Sequence, residues 1–395
     1  MRKVIVIGEM EPSLAINLSR AYSDKYSIVL VTQYISSFLY LYFLSMFRRN
    51  VKVHICLPKR KKKLSFSDQS FEYSDKVALF YKSLLTDIND ETIKAEICSV
   101  WEKLSSISNR INIESVVIWN YSNAINSFLR YHCQNKGIKL NVIENGFFRP
   151  NTITLDYNGL NVDSRFYLTG EGIQEKNKYN VNCSFGLVSV KSYIYFRVFE
   201  LISMSKINGA HFPLSLLYLL RRKKSHSQRM QHIDSKYDLD FGPYYFLPLQ
   251  LLTDSQNVFY ANFQSHEEVI NSAIGLIGSD KTLVVKPHPL DFGINLDELR
   301  NRFGNSKIFF TDEDTETLLV NSICVICVNS TVGFEALCCG KNVHLLGQAM
   351  YQDLIGVYCG EQKYTVEHFR KSTQVDFNVN DYSFCDVKRL ISYFN

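Results

Sequence analysis

The run Val4-Ile5-Val6-Ile7, then Gly8, then residues Pro12 to Tyr22 with apolar side chains at helical spacing, decides the fold. A short, wholly apolar run that breaks at a glycine and passes into an amphipathic helix is the strand–turn–helix unit of a parallel sheet, whose strands are covered on both faces. Working outward, apolar runs at Ser27–Val31, Val51–Leu57, Ser115–Trp119 and Leu140–Ile143 alternate with helical stretches at Asp90–Ile107 and Ala124–Lys136. This alternation predicts a doubly wound α/β domain over residues 1–170.

A second alternation begins near Tyr244. It reads strand at Phe246–Leu251, helix at Glu267–Ile277, strand at Thr282–Val285, helix at Leu296–Phe303 and strand at Lys307–Phe310. A helix at Thr315–Asn321, a strand at Ile323–Val328 and a helix at Gly333–Cys339 follow, so residues 241–395 form a second α/β domain. Between the two, residues 171–240 include the aromatic, basic and acid-poor stretch Val188–Lys224, read as a helical linker packed on the body or as an amphipathic surface resting on a membrane.

The chain has 395 residues, 46% hydrophobic and 21% charged, which suits two globular domains and excludes global disorder. The net charge of +5 includes basic runs at Lys59–Lys63 and Arg221–Lys224, read first as solvated loops and second as contacts for phosphate or anionic lipid. Nothing points to nucleic acid. Ten cysteines lack a small-scaffold rhythm, and the first residues lack a secretory signal, so reduced thiols and a cytoplasmic location are expected. Cys324 and Cys327 form a CxxC, but inside an apolar run, which reads as a buried strand and not as half of a zinc site. The apolar stretch Tyr34–Phe47, followed by Arg48 and Arg49, is rich in aromatics but shorter than the about 20 residues a membrane span needs.

Four stretches carry candidate chemistry. In Val284-Val285-Lys286-Pro287-His288-Pro289 a strand runs into a turn stiffened by prolines, presenting Lys286 and His288 where open α/β sheets bind ligands. His288 there can donate to a phosphate oxygen and stabilise charge on a departing phosphate; the alternative is a structural histidine. Asn329, Ser330 and Thr331 open a helix that carries Glu335, so hydroxyls and unpartnered backbone N–H groups form an anion site, or Ser330 and Thr331 simply cap the helix. In Glu144-Asn145-Gly146-Phe147-Phe148-Arg149-Pro150, Arg149 can pair with a sugar carboxylate and Glu144 can act as acid, base or nucleophile; the alternative is a salt-bridged turn. Gln250 and Asp254 follow the first strand of the second domain, as ligand contacts or as strand end and cap. The acids at Asp238–Asp240 and Asp312–Asp314 read as loop and helix-start residues, so no metal site is expected.

These stretches, in this order, resemble the capsule polysaccharide synthesis family of β-Kdo transferases, KpsS and KpsC type, and the KpsS branch most closely. The resemblance rests on Glu144–Pro150 with Ile153-Thr154-Leu155 and Gly159-Leu160-Asn161, on Leu249–Gln256, on Lys286–Gly293, and on Asn329–Lys341 with Leu346–Tyr351. It implies a GT-B fold of two facing Rossmann-like domains, with CMP-Kdo as donor, retention at the transferred sugar and no metal or other cofactor. It also implies a lipid (lysophospholipid) or glycan acceptor at the inner face of the cytoplasmic membrane, partnership with a capsule assembly or export complex, and a peripheral location. By resemblance His288, Ser330 and Thr331, with Lys286, Pro289, Asn329 and Glu335, hold the nucleotide; Glu144, Asn145 and Arg149 line the sugar site; Gln250 and Asp254 lie near the interdomain cleft. Two departures stand out. Family members carry two consecutive acids where this chain has Glu144 and Asn145, which leaves Glu144, another carboxylate such as Asp156, or altered chemistry; and their N-terminal glycine-rich turn is replaced by Gly8-Glu9-Met10-Glu11. The alternatives are a transferase of the same fold using another nucleotide sugar such as CMP-sialic acid, and a non-catalytic member of the capsule complex.

Overall fold

The computed structural model describes residues 3–57, 75–81, 89–174, 243–289, 291, 294–303, 307–358 and 363–394. The stretch expected as a linker or membrane-facing insertion, residues 171–240, lies outside these beyond residue 174, as do both long basic runs. The chain divides into two compact units, Met1–Pro213 with Arg370–Asn395, and Leu214–Phe369.

In the first unit, strands β1 (Val4–Ile7), β2 (Ser27–Thr32), β3 (Val51–Ile55), β4 (Ile113–Trp119), β5 (Lys139–Asn145), β6 (Thr152–Asp156) and β12 (Gln374–Asp376) form one sheet in the order β12-β6-β5-β4-β1-β2-β3. The five strands β3-β2-β1-β4-β5 are parallel and have the doubly wound order, so the chain reverses direction across the sheet between β1 and β4. Helix Pro12–Tyr22 starts where the sequence places it because proline occupies its first turn and the Glu11 carboxylate accepts from the Leu14 N–H at 2.8 Å. Helix Ala124–Lys136 is bounded by the Asn123 side chain at one end and by Gly137 at φ +62° at the other.

The sheet extends beyond the expected βα pattern. β6 returns antiparallel to β5, with Glu144 opposite Thr154 and Asn145 opposite Ile153, and β12 adds antiparallel to β6. The expected second domain of residues 241–395 therefore differs from the structure: the chain from Arg370 onward returns to the first unit. Helix Phe384–Ser392 buries Val387, Leu390 and Ile391 in the same core as Leu14, Leu18 and Ile28, and β12 covers the edge that β6 would otherwise leave open. An apolar helix face with no partner on its own unit has a strong reason to return, since each buried Leu or Ile contributes about 2 kcal/mol.

The second unit is a five-stranded, wholly parallel sheet, β11-β10-β7-β8-β9, from β7 (Tyr245–Pro248), β8 (Leu283–Lys286), β9 (Ile308–Phe310), β10 (Cys324–Cys327) and β11 (Asn342–Leu345). It repeats the doubly wound order, with its reversal between β7 and β10. Two doubly wound α/β units are the fold class that the alternation predicts. The CxxC is strand β10, buried throughout, and burial pushes the Cys324 thiol up to about 11, so it stays protonated. Cys385 is disulfide-bonded, against the expectation of uniformly reduced thiols, while seven other described cysteines are free. Among the described residues no helix is long and apolar enough to cross a membrane.

Asp156 is 3% exposed at the end of β6 and accepts backbone N–H groups from Asn158, Gly159, Arg165 and Phe166, so it ties the whole 157–166 loop to the sheet. Asp156→Ala leaves these donors without an acceptor and is expected to cost about 3 kcal/mol or more in denaturant unfolding, with partial recovery in Asp156→Asn. Glu11 is also substantially buried. Its Oε1 has no hydrogen-bond partner among the described residues, and burial raises its pKa above the ordinary 4.5 against the opposing cap hydrogen bonds. A carboxyl whose folded pKa is raised stabilises the fold relatively at low pH and loses that contribution as pH rises through 4.5 toward the folded value. Glu11→Gln, which keeps an acceptor for Leu14, is therefore expected to raise Tm at pH 7 and to have little effect near pH 4, as thermal melts across that range will test.

Candidate functional site

In the second unit the ends of β7 and β10, adjacent strands at the chain reversal, are joined by a two-way hydrogen bond. The Gln250 amide donates to Asn329 Oδ1 at 3.0 Å, and the Asn329 backbone N–H donates to Gln250 Oε1 at 2.9 Å. The other end of Asn329 donates to the Gln256 carbonyl at 2.9 Å and the Gln348 carbonyl at 3.3 Å. With its side chain 7% exposed and its donors and acceptor committed to the protein, Asn329 is a clasp that holds the polar ends of the sheet together.

Ser330 follows at once and caps the helix Thr331–Cys338: its hydroxyl accepts from the Val332 N–H at 3.2 Å, and its carbonyl accepts from Gly333 N–H and from the Tyr351 hydroxyl, the latter at 2.5 Å. Thr331 is left as the donor. Its N–H and hydroxyl have no hydrogen-bond partner among the described residues, and it is half-buried at the positive end of the helix. Gly333 is required, since a Cβ there would come within 2.5 Å of Cys327 Sγ and 2.6 Å of the Tyr351 hydroxyl, atoms that pin the turn. Glu335 lies on the exposed side of this helix.

The turn after β8 is held from a distance in sequence. Asp291, which closes it by donating its N–H to the His288 carbonyl at 2.9 Å, is paired with His266 Nε2 at 2.6 Å. Pro287 is buried, His288 is half-buried and Pro289 is exposed. The Lys286 ammonium donates to Thr315 Oγ1 at 2.7 Å, at the start of the helix Thr315–Asn321 that follows β9. Lys286, His288 and Thr331 thus lie at carboxyl ends of strands in one sheet, where cationic and N–H donors can receive an anion. Asp254 is a cap: it accepts from the Gln256 N–H at 2.9 Å at the start of helix Ser255–Tyr260. Asp314, too, caps its helix through Glu316 and Thr317, and those hydrogen bonds lower its pKa.

In the first unit Glu144 and Asn145 end β5 at the mouth of the β5–β6 hairpin. Glu144 is half-buried and engaged; Asn145 is exposed, and its side chain makes no hydrogen bond among the described residues. The hairpin turn is built tightly: Gly146 N–H donates to the Thr152 carbonyl at 2.9 Å, and a Cβ at Gly146 would overlap Thr152. Gln374 of β12 braces it, accepting the Phe147 N–H at 2.9 Å and donating to Thr154 Oγ1 at 3.0 Å. Arg149 is exposed and folds back to donate to the Gly146 carbonyl at 3.2 Å, so the turn has no salt bridge to Glu144 through this side chain. Asp156, the other carboxylate considered, is enclosed by four backbone donors and is a structural residue, not a nucleophile.

Sequence reasoning missed Gln374, the His266–Asp291 pair and the Tyr351–Ser330 contact, which no short motif encodes. It also passed over Glu9, which follows β1 and accepts from Thr32 Oγ1 and the Gln33 N–H at 2.9 and 2.7 Å while its backbone is bracketed by Asn126. Its position directly after Gly8 was the available signal.

The capsule polysaccharide biosynthesis protein family matches residues 114–380. The capsule polysaccharide export protein KpsS of Escherichia coli is 21% identical over 308 residues, 69% of this chain and 75% of that protein. The capsule polysaccharide modification protein LipB of Neisseria meningitidis is 24% identical over 250 residues, 54% of this chain and 58% of its own length. Among solved structures, KpsC of Thermosulfurimonas dismutans, a beta Kdo 2,7 transferase, aligns over 98% of this chain and 89% of its own at 13% identity and a TM-score of 0.40. The family match covers both the hairpin of Glu144 and the strand ends that carry His288 and Thr331, and this chain belongs to the capsule polysaccharide biosynthesis protein family.

Proposed function

We propose that this protein is a retaining glycosyltransferase of capsule assembly that transfers Kdo from CMP-Kdo to a lipid (lysophospholipid) or glycan acceptor. The observation that carries the reading is the set of donors at the strand ends of the second unit: Lys286, His288 and the N–H and hydroxyl of Thr331 at a helix N-terminus. A CMP phosphate there meets positive charge and the pre-oriented N–H and hydroxyl of Thr331, which gain strength as negative charge develops on the departing phosphate. His288 can hydrogen-bond a phosphate oxygen; Lys286, two residues earlier at the end of the same strand, adds a charge.

Retention follows from two displacements. Glu144 attacks the anomeric carbon of Kdo, the bond to the CMP phosphate breaks and its electron pair leaves with CMP, giving a glycosyl ester on the carboxylate. An acceptor hydroxyl then attacks the same carbon, loses its proton and releases Glu144, so two inversions restore the configuration. Asn145 is an amide and a far weaker nucleophile, and Asp156 is enclosed, so Glu144 is the carboxylate with this role. Asn145 and Arg149, both exposed at the hairpin, are suited to a sugar hydroxyl and the Kdo carboxylate.

Purified protein incubated with CMP-Kdo and either lysophosphatidylglycerol or a Kdo-terminated glycan is expected to yield a Kdo adduct by mass spectrometry, with CMP-sialic acid giving none. Lys286→Ala and His288→Ala are each expected to weaken CMP binding by about 10- to 100-fold, the loss of a charge-assisted hydrogen bond. Glu144→Gln is expected to retain CMP binding and to lose transfer by roughly three orders of magnitude. Transfer at the parent rate in Glu144→Gln contradicts the mechanism, and transfer from CMP-sialic acid alone contradicts the donor.

A further inference from the structure

Helix Ile35–Ser45 of the first unit packs Tyr40, Leu41 and Leu44 on the core, yet its C-terminal end and the turn after it leave large apolar side chains outside while Ser36, Ser37 and Ser45 are buried. Tyr42 is 50% exposed, Phe43 55%, Met46 53% and Phe47 91%, all within two turns. Surface helices ordinarily place the apolar stripe inward, so four exposed large apolar side chains within residues 42–47 mark a face with an apolar partner.

The rim of this face has one dominant sign. Arg48 and Arg49 follow Phe47 and form no ion pair among the described residues. Asn50 ties their turn to the preceding one, donating to the Ser23 carbonyl and to the Tyr26 carbonyl at 3.2 Å, which brings exposed Lys25 to the same edge. Arg20 joins them from the last turn of helix Pro12–Tyr22: partial burial lowers its pKa, and the facing Arg48 guanidinium lowers it further. Asp24 is the acid in this group. Arg48 and Arg49, directly after the projecting aromatic rings and with Lys25 and Arg20 near their turn, suit a surface that is apolar below and anionic above, the cross-section of an anionic lipid leaflet. Arginines there keep their charge at the headgroups while their stems and the rings enter the apolar layer.

We propose that residues 42–49 dock the first unit on an anionic phospholipid surface, with Phe43, Met46 and Phe47 inserted and Arg48 and Arg49 at the headgroups. The inference rests on this face alone and not on the donor or the reaction. It also separates this contact from the basic-aromatic stretch 191–224, which is intact in every variant below.

The test is flotation of the full chain with vesicles of phosphatidylglycerol and phosphatidylethanolamine, beside vesicles of phosphatidylcholine alone. The expected result is binding to the anionic vesicles that falls with added salt, and a loss of about tenfold in either Phe43→Ser/Phe47→Ser or Arg48→Glu/Arg49→Glu. The substituted side chains are largely outside the core, so circular dichroism and Tm are expected to stay at parent values. CMP binding is expected to be unchanged in both, which distinguishes loss of docking from loss of the transferase site. Parent-level vesicle binding in both double variants overturns the proposal. Lipid-free self-association of the parent that the Phe43→Ser/Phe47→Ser variant abolishes, without vesicle binding, assigns the face to a second copy of the chain and also overturns it.

Discussion

The reciprocal hydrogen bond between Gln250 and Asn329 holds the second unit's site in place. It spans the point where the parallel sheet reverses its chain direction, where no backbone ladder joins the segments beyond β7 and β10, and it fixes Asn329 at both ends of its amide. Everything nearby depends on that position. Ser330 can cap the following helix only if Asn329 delivers it there, and Ser330 in capping consumes the N–H groups of Val332 and Gly333, which leaves the single N–H of Thr331 without a partner among the described residues. Tyr351 then closes on the Ser330 carbonyl through space that only glycine at 333 leaves open. Residues that look like ligand contacts in the sequence thus divide: Gln250, Asn329, Ser330 and Asp254 build the site, Lys286 and His288 stand engaged at the end of β8, and Thr331 keeps an N–H and a hydroxyl with no hydrogen bond among the described residues.

The first unit solves a similar problem by different means. Its candidate carboxylate stands at the mouth of a hairpin, and hairpin turns do not keep their shape without support. Gln374, more than two hundred residues away, supplies it by bonding both the turn and the neighbouring strand. This is a physical reason for the chain to return to its first unit after completing the second: the last helix buries an apolar face, and the strand before it both closes the sheet edge and braces Glu144's turn. Asp156, one strand-length on, is spent on anchoring a loop.

Much of the fold is legible in the sequence because parallel strands are buried on both faces and read as continuous apolar runs, and because helices carry their start signals beside them. Helices Pro12–Tyr22, Ala124–Lys136, Leu296–Phe303 and Thr315–Asn321 lie where the pattern places them, marked by Glu11, Asn123 and Asp314 among others. β6 and β12 were not legible: they are short, contain threonine, glutamine and aspartate, and owe their existence to pairing partners distant in the chain. At the site, the strand-end positions of Lys286, His288 and Ser330 followed from local pattern. The division of roles between Asn329 and Thr331, the His266–Asp291 brace and the enclosure of Asp156 did not, because each depends on which atoms meet in space.

In the proposed mechanism Glu144 carries the sugar between donor and acceptor. The most direct measurement is intact-protein mass spectrometry after incubation with CMP-Kdo in the absence of any acceptor, followed by peptide mapping. CMP is expected to be released with a mass gain of one Kdo unit on the peptide that contains Glu144. CMP release with no adduct, or an adduct mapped to another carboxylate, would contradict it.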